Sequence, residues 1–560
     1  METNVQFNHR KYRPHRSFTK PDRRWPSGSL TAAPDWCSVD LRDGNQALIE
    51  PMTPAQKLRM FELLVDVGFR EIEVGFPAAS APDFDFVRQL IREGRVPDDV
   101  TIQVLTPARP ELIERTFEAL RGARRAIVHL YNSTSTVQRQ EVFGMSEEEV
   151  RELAVRGARV IAEAAAKQPE TTWTFQYSPE SFTGTEMEYA LSVCNAVIDV
   201  WQPRAERPVI INLPATVEVS TPNVYADQIE WMSERLHARQ HVRLSLHTHN
   251  DRGCGVAAAE LGVLAGADRV EGTLLGNGER TGNMCVVTMA MNLYSQGIDP
   301  RLDLSNMDRI RATVEACTQL PVHPRHPYAG DLVFAAFSGS HQDAINKCMR
   351  ADRARRAVEP ECDWHVAYLP IDPRDLGRSY EAVVRVNSQS GKGGVAFVLE
   401  REYQLSLPRF LQVDFSPVVQ KMTERAGSEA SAPMLKELFD GTYLHVPGAP
   451  EVESYALQRA EGFDSLSVRF RGRKDEITVQ GTGVLEAFVR AVGQLTDREI
   501  VLVNYDEHSL GQDEGAEAVA YVQVSCRSKS GEVARACGVG RSRDIIEASM
   551  RAVCSAVARA

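Results

Sequence analysis

Between residues 35 and 295 the sequence repeats one pattern eight times: a short run rich in β-branched residues, then a longer stretch with apolar residues at helical spacing. Helix-start signals such as Thr53-Pro54, Thr221-Pro222 and Ser146 before three glutamates separate the two parts. Eight such pairs predict a (β/α)8 barrel, with a doubly wound open sheet as the alternative fold. We predict strands over residues 36–41, 71–75, 101–105, 125–130, 173–177, 209–213, 242–247 and 269–274.

The rest of the chain must form further packed units, because 560 residues exceed what one core holds. We predict a flexible basic arm over residues 1–30, the barrel over 31–300, mostly helical linker subdomains over 301–425 and a small α+β domain over 426–560. The formal net charge of -12 argues against nucleic acid and anionic membrane as partners. Without a membrane-length apolar run or a secretory signal, we expect a cytoplasmic, small-molecule enzyme.

Ten cysteines are scattered along the chain without a C-x-x-C pair. This spacing favours reduced thiols over a disulfide framework or a thiolate zinc site.

A metal site is predicted at the carboxyl ends of the barrel strands, where such folds build their active sites. His247 and His249 lie two residues apart at a strand end, so both imidazoles leave the same face. Strand 8 closes beside strand 1, which brings Asp43 within reach as a third ligand, and Asn283 offers a fourth oxygen. Two imidazoles and one carboxylate leave positions open for substrate, as in catalytic sites.

Arg42 precedes the predicted carboxylate ligand and carries a bidentate guanidinium. It is predicted to bind a substrate carboxylate. The alternative is a salt bridge to an acid at the barrel mouth such as Asp251.

Two stretches carry a family resemblance. The segment Leu41-Arg42-Asp43-Gly44-Asn45-Gln46, followed by Lys57, and the segment from Leu246 to Gly253 resemble the two signatures of the α-isopropylmalate, homocitrate and citramalate synthase family, and the longer bacterial type of that family in particular. The resemblance extends over nearly the whole chain. It implies a TIM barrel and a Claisen condensation in which acetyl-CoA adds to a 2-oxo acid and CoA is released by hydrolysis.

The resemblance also implies roles for further residues. Glu180 and His341 are candidates for the base that deprotonates the thioester methyl group; the alternatives are a salt-bridged rim residue for Glu180 and a helix cap for His341. Substrate contacts are expected at His129, Ser178 and Thr216, with walls at Leu105 and Tyr131 and possible contributors from the linker at Tyr368 and Tyr380. A buried structural histidine is the alternative for His129. The apolar walls favour 2-oxoisovalerate over 2-oxoglutarate, whose second carboxylate needs a cation.

The last region contains an internal repeat of three strands and a helix. The first copy leads through Gly481 and Gly483 into a helix over 484–492, and the second through Gly538 and Gly540 into a helix over 541–557. In the family this region binds leucine and inhibits the enzyme; a dimerisation module without ligand is the alternative. The resemblance further implies a homodimer and a divalent metal, of which Mg²⁺ is favoured over Mn²⁺ or Zn²⁺.

Three other functions compete with this prediction. Citramalate or homocitrate synthase differs only in the acetyl acceptor, and an acyl-CoA lyase uses the same barrel. A leucine-sensing module on an inactive barrel is the non-enzyme alternative, against which the complete set of Arg42, Asp43, His247 and His249 argues.

Overall fold

The eight predicted strands close into a barrel of parallel strands in a computed structural model that describes residues 18–380, 392–426, 430–460, 463–510, 516–529 and 531–560. Each strand pairs with its sequence neighbours, and β1 also pairs with β8, which confirms the barrel and excludes the open sheet. The strands are β1 (Asp35–Ser38), β2 (Glu71–Gly75), β3 (Thr101–Pro107), β4 (Arg125–Ser133), β5 (Thr172–Glu180), β6 (Val209–Ala215), β7 (Val242–Thr248) and β8 (Arg269–Gly272).

Helices alternate with these strands and begin at the predicted signals. Thr53 and Ser146 each accept a hydrogen bond from the backbone three residues on, and Gln56 and Glu149 return one, so both helices start with a complete capping box. The helices are α1 (Pro54–Val67), α2 (Ala81–Arg92), α3 (Pro110–Leu120), α4 (Glu147–Ala166), α5 (Met187–Trp201), α6 (Pro222–Arg235), α7 (Gly255–Leu264), α8 (Val286–Tyr294) and α9 (Met307–Thr318).

The end of the first strand differs from the prediction. β1 stops at Ser38, and Asp40–Gly44 form a π-helical turn in place of the strand expected to continue to Leu41. The buried Asp40 carboxylate holds this turn by accepting from the Ser38 hydroxyl and from the Leu274 backbone amide. The turn carries Arg42 and Asp43, so its backbone conformation determines the positions from which their side chains extend.

The described part of the predicted flexible arm is anchored, which corrects that prediction for residues 18–27. Arg23 donates to both carboxylate oxygens of the fully buried Asp227 of α6, from Nη2 at 2.7 Å and from Nε at 2.8 Å. The Trp25 indole donates to the same carboxylate. Lys20 is 2% exposed and lies 3.1 Å from Glu230. Basic residues therefore face acids on α6 that the sequence alone did not connect to them. Residues 1–17 lie outside the described part of the chain.

The chain divides into two compact units, one built from residues up to Val333 with Ile371–Ser379, the other from Phe334–Pro370 and Tyr380–Ala560. The predicted linker is therefore distributed over both. The second unit contains α10 (Gly339–Val358), α11 (Lys392–Tyr403), α12 (Arg409–Ala426), α13 (Ala432–Tyr443), β9 (Val452–Ala460), β10 (Phe463–Phe470), β11 (Ile477–Gly481), α14 (Val484–Thr496), β12 (Glu499–Leu510), β13 (Glu517–Arg527), β14 (Val533–Ser542) and α15 (Ile545–Arg559).

The predicted repeat is present in this unit as two antiparallel three-stranded sheets, each followed by a helix. The second helix starts at Ile545 rather than at residue 541, because β14 continues to Ser542 and Asp544 caps the helix. Gly540 does not turn the chain. A Cβ there would lie 2.0 Å from the Ala548 carbonyl, so the glycine lets α15 approach the strand.

Alternate side chains of β13 enter different cores. Val522 and Val524 pack with residues of α14 and α15, whereas Val519 and Tyr521 pack with residues of α12 and α13. All ten cysteines are free, as predicted. In the described residues no helix is long and apolar enough to cross a membrane.

Candidate metal centre and active site

Three side chains at the carboxyl end of the barrel converge as predicted. His247 Nε2 lies 3.2 Å from His249 Nε2, and Asp43 Oδ2 lies 3.6 Å from each of these nitrogens. Atoms that share one ion at about 2.1 Å are about 3.0 to 3.4 Å apart, so the three atoms are close to coordination spacing. Asp43 Oδ2 is buried and makes no hydrogen bond within the described residues, as expected of a ligand atom.

Asn283, the predicted fourth ligand, lies opposite His249. Its backbone forms an isolated β-bridge with His249, and its Nδ2 donates to the Asn277 carbonyl at 3.0 Å. Its Oδ1 is buried and has no hydrogen-bond partner among the residues described. A buried, unpaired amide oxygen on a residue bridged through its backbone to His249 fits a fourth metal ligand.

The electrostatics of the two histidines differ. Burial by itself lowers the pKa of His247, but Asp43 and Glu271 outweigh it and raise that pKa to about 9. Burial and the neighbouring His247 lower the pKa of His249 to about 4, which keeps it in the neutral form that binds metals. His247 Nδ1 faces Glu271 Oε2 at 2.9 Å, an arrangement typical of metal-ligating histidines.

Arg42 bonds to two acids, neither of them the Asp251 considered from the sequence. Its Nε donates to Glu73 Oε2 at 2.5 Å and its Nη1 to Asp43 Oδ1 at 2.7 Å. Asp251 is instead held by Arg280 at 2.6 Å. The burial of Arg42 opposes its charge, but Glu73 and Asp43 raise the pKa of the guanidinium above its ordinary value, so it stays ionised.

Asp43, His247 and His249 line a cavity of about 250 Å³. Every substrate-contact and wall residue expected on the barrel lines it, together with Glu180. The lining residues are Arg42, Asp43, Gln46, Phe76, Leu105, His129, Tyr131, Ser178, Glu180, Asn212, Pro214, Thr216, His247, His249, Glu279 and Arg280.

His129 is buried and has a partner at each ring nitrogen. Its Nδ1 lies 2.7 Å from Glu73 Oε1, and its Nε2 lies 2.7 Å from Ser178 Oγ. Asn212 Nδ2 donates to the same hydroxyl at 3.0 Å. Both ring nitrogens therefore have protein partners, and His129 and Ser178 both line the cavity.

Glu180 ends β5, where the Ser133 hydroxyl donates to its Oε2. This hydrogen bond replaces the rim salt bridge considered from the sequence. Burial and the charge of Glu180 raise the pKa of the nearby Tyr131 phenol. Thr216 Oγ1 accepts from the Ser181 backbone amide at 2.9 Å, so its hydroxyl hydrogen remains for the cavity.

The three predicted contributors from the linker belong to the second unit. His341 lies in the first turn of α10 and stacks on Tyr368 with ring centroids 4.0 Å apart. Burial raises the pKa of Tyr380 to about 12, and its hydroxyl has no hydrogen-bond partner in the described ranges. That these residues reach a barrel mouth stays a prediction.

Sequence reasoning missed a polar layer inside the barrel. Glu73, Gln103, Gln176, Asn212 and Glu271 are at most 1% exposed and are joined by hydrogen bonds. A signal was present, because each is a large polar residue whose immediate neighbours in the strand are hydrophobic or glycine. Such residues in a barrel interior require partners, and here their hydrogen bonds extend to Arg42, His129 and His247.

Three families match the chain in succession. Residues 33–314 match the family described as HMGL-like, residues 331–400 the alpha-isopropylmalate synthase post-catalytic domain-like family, and residues 429–560 the LeuA allosteric (dimerisation) domain.

Curated proteins are similar over almost the full length. The 2-isopropylmalate synthase of Parafrankia sp. (strain EAN1pec) is 58% identical over 98% of this chain and 97% of its own. Those of Kineococcus radiotolerans and Thermobifida fusca are 56% and 55% identical, over 96% and 98% of this chain and 95% and 97% of their own.

Proposed function

This chain belongs to the 2-isopropylmalate synthase family, acyltransferases of leucine biosynthesis, and we propose on that premise that its barrel mouth joins acetyl-CoA to 2-oxoisovalerate. Water hydrolyses the resulting thioester, and the products are 2-isopropylmalate and CoA. The observation that carries the proposal is the convergence of Asp43, His247 and His249 on one point beside Arg42, within a cavity that has both charged and apolar walls.

The acceptor is held by charge at one end and by apolar contact at the other. Arg42 Nη2, the nitrogen not used by Glu73 or Asp43, meets the carboxylate of the oxo acid. Leu105, Phe76 and Tyr131 give the branched alkyl tail an apolar surface. A dicarboxylic acceptor brings a second charge, and the apolar walls offer it no cation.

A divalent ion bound by Asp43, His247, His249 and Asn283 supplies Lewis-acid polarisation of the ketone when present. We propose Mg²⁺, because carboxylate, amide and oxo-acid oxygens favour a hard cation; Mn²⁺ and Zn²⁺ are the alternatives that two imidazoles tolerate. Glu180, oriented by Ser133, takes a proton from the thioester methyl group, with His341 as the alternative base. Ser178, backed by His129, donates a hydrogen bond where the ketone oxygen gains negative charge.

We also propose that residues 426–560 form the regulatory domain, that leucine is its inhibitor and that the active form is a homodimer. The match to an allosteric and dimerisation family supports the assignment. Inhibition from this domain requires that the enzyme have two states that differ in their affinity for leucine. The cytoplasmic location stays a prediction from the sequence.

Thiol release tests the proposal directly. Pyruvate, 2-oxoisovalerate and 2-oxoglutarate are compared as acceptors with acetyl-CoA, and the highest kcat/KM is expected for 2-oxoisovalerate. A higher value for pyruvate or 2-oxoglutarate identifies a citramalate or homocitrate synthase instead. Cleavage of a 3-hydroxyacyl-CoA without thiol release from acetyl-CoA and any oxo acid identifies a lyase.

A further inference from the structure

Glu271 lies on β8 beneath the metal centre and is 0% exposed. Its five hydrogen-bond partners are all nitrogens, and four of them are amide or guanidinium nitrogens that can only donate. Oε1 accepts from Gln103 at 3.0 Å, Gln176 at 2.8 Å and Arg269 at 2.8 Å; Oε2 accepts from Asn212 at 3.2 Å and faces His247 Nδ1 at 2.9 Å. A hydrogen on Oε1 would meet only donors, and one on Oε2 would have His247 Nδ1 as its sole acceptor among these partners. Four fixed donors, one of them the Arg269 guanidinium, stabilise the carboxylate form.

The two imidazoles of the centre are supported unequally. His247 Nδ1 meets Glu271, whereas His249 Nδ1 is buried without a hydrogen-bond partner in the part of the chain described here. An ionised carboxylate can only accept from Nδ1, so the hydrogen of a neutral His247 sits on Nδ1 and the lone pair of Nε2 faces Asp43 and His249. Only this tautomer offers Nε2 to a metal.

We propose that Glu271 is the positioning residue of the metal centre, which fixes the metal-binding tautomer of His247 and adds negative charge beneath the ion. The inference rests on the proposed metal site. Among the described residues of the barrel interior, the buried carboxylates of Asp43, Glu73 and Glu271 face the guanidiniums of Arg42 and Arg269 and the imidazole of His247. When a neutral His247 binds an ion through Nε2, one negative charge stays unbalanced in a site of low dielectric, which favours a cation there.

Glu271→Gln separates this role from simple packing. Arg269 keeps Glu71, Gln103 and Ser245 as acceptors in that variant, so no buried cation loses all its partners. A glutamine whose oxygen satisfies Gln103, Gln176 and Arg269 presents its NH₂ to His247 Nδ1. That contact favours the other tautomer, whose Nε2 carries hydrogen and cannot bind a metal.

Glu73→Gln is the matched control. Glu73 is also 0% exposed and loses the same charge, but its hydrogen bonds go to Arg42, Gln103 and His129 rather than to a metal-ligating imidazole. We expect Glu73→Gln to raise the KM for the oxo acid through Arg42 and to change metal affinity less than Glu271→Gln does.

The experiment titrates Mn²⁺ into chelator-stripped full-length protein and follows free Mn²⁺ by electron paramagnetic resonance. Glu271→Gln should weaken binding by about ten- to a hundred-fold, and saturating Mn²⁺ should restore most of the turnover. An unchanged Kd, or equal weakening in Glu73→Gln, overturns the positioning role. A wild-type protein that binds no Mn²⁺ overturns the proposed metal site instead.

A measurement on the wild-type protein keeps the inference testable if Glu271→Gln does not fold. Nitrogen-15 spectra of histidine-labelled protein are recorded above pH 9, because Asp43 and Glu271 raise the pKa of His247 to about 9 and its imidazole is neutral only above that value. Assigned through His247→Gln, the spectra report which ring nitrogen carries hydrogen. Hydrogen on Nδ1 of His247 supports the role of Glu271. Hydrogen on Nε2 alone overturns it.

Discussion

Replacing Arg42 with lysine keeps the positive charge of this side chain but removes its planar fork. Arg42 donates from Nε to Glu73 at 2.5 Å and from Nη1 to Asp43 at 2.7 Å, which leaves Nη2 for the substrate carboxylate. One ammonium group cannot hold three carboxylates in this geometry, so at least one charged hydrogen bond is lost. Such a bond contributes about 1.5 to 3 kcal/mol, and a tenfold change corresponds to about 1.4 kcal/mol, so kcat/KM should fall roughly ten- to hundredfold.

The assay is the initial rate of thiol release against oxo-acid concentration at saturating acetyl-CoA and metal. The loss should appear mainly in the KM of the oxo acid, because its carboxylate is bound in both the ground and transition states. Arg243→Lys is the matched control: Arg243 joins Glu71 and Asp35, at 2.6 and 2.8 Å, at the opposite end of the barrel. A KM within about twofold of wild type in Arg42→Lys, or an equal rise in the control, would refute the carboxylate role.

Three further outcomes are expected. Glu180→Gln should lower kcat by a factor of about 10² to 10⁴ with little change in KM, and a kcat close to wild type would show that another residue is the base. Arg23→Ala should lower the free energy of unfolding by about 1 to 3 kcal/mol in urea titrations with turnover unchanged, because among the described side chains the buried Asp227 then keeps only Trp25 as a partner; equal stability would contradict the anchoring. Gly540→Ala places a Cβ 2.0 Å from a carbonyl of α15, so scanning calorimetry should show earlier melting of the second unit and inhibition by leucine should be lost; an unchanged thermogram would rule out the close packing.

The barrel and its metal triad were predictable because both follow from local pattern. Apolar periodicity locates the strands, and the carboxyl ends of parallel strands converge, which brings Asp43 to His247 and His249 without any knowledge of side-chain conformation. The order of strands and helix in the C-terminal repeat was predictable in the same way. The start of α15 was not, because Asp544 rather than residue 541 caps that helix.

Contacts between distant parts of the sequence were not predictable. The anchoring of Arg23 by Asp227 spans 204 positions, so composition alone suggested a flexible arm. The π-helical turn at Asp40–Gly44 depends on a hydrogen bond from the backbone amide of Leu274, which follows β8, the strand that pairs with β1 to close the barrel. The partners of Glu271 come from four other strands as well as its own, and no spacing rule connects them.

The metal centre is tested most directly by calorimetric titration of Mg²⁺ and Mn²⁺ into chelator-stripped protein, with Asp43→Ala and His247→Ala measured beside the wild type. We expect one ion per wild-type chain, turnover that rises with occupancy, and neither binding nor turnover in the variants, whose circular dichroism stays that of the folded protein. Full turnover by the stripped enzyme, or variants that bind the ion as tightly as wild type, would contradict the assignment of Asp43, His247 and His249.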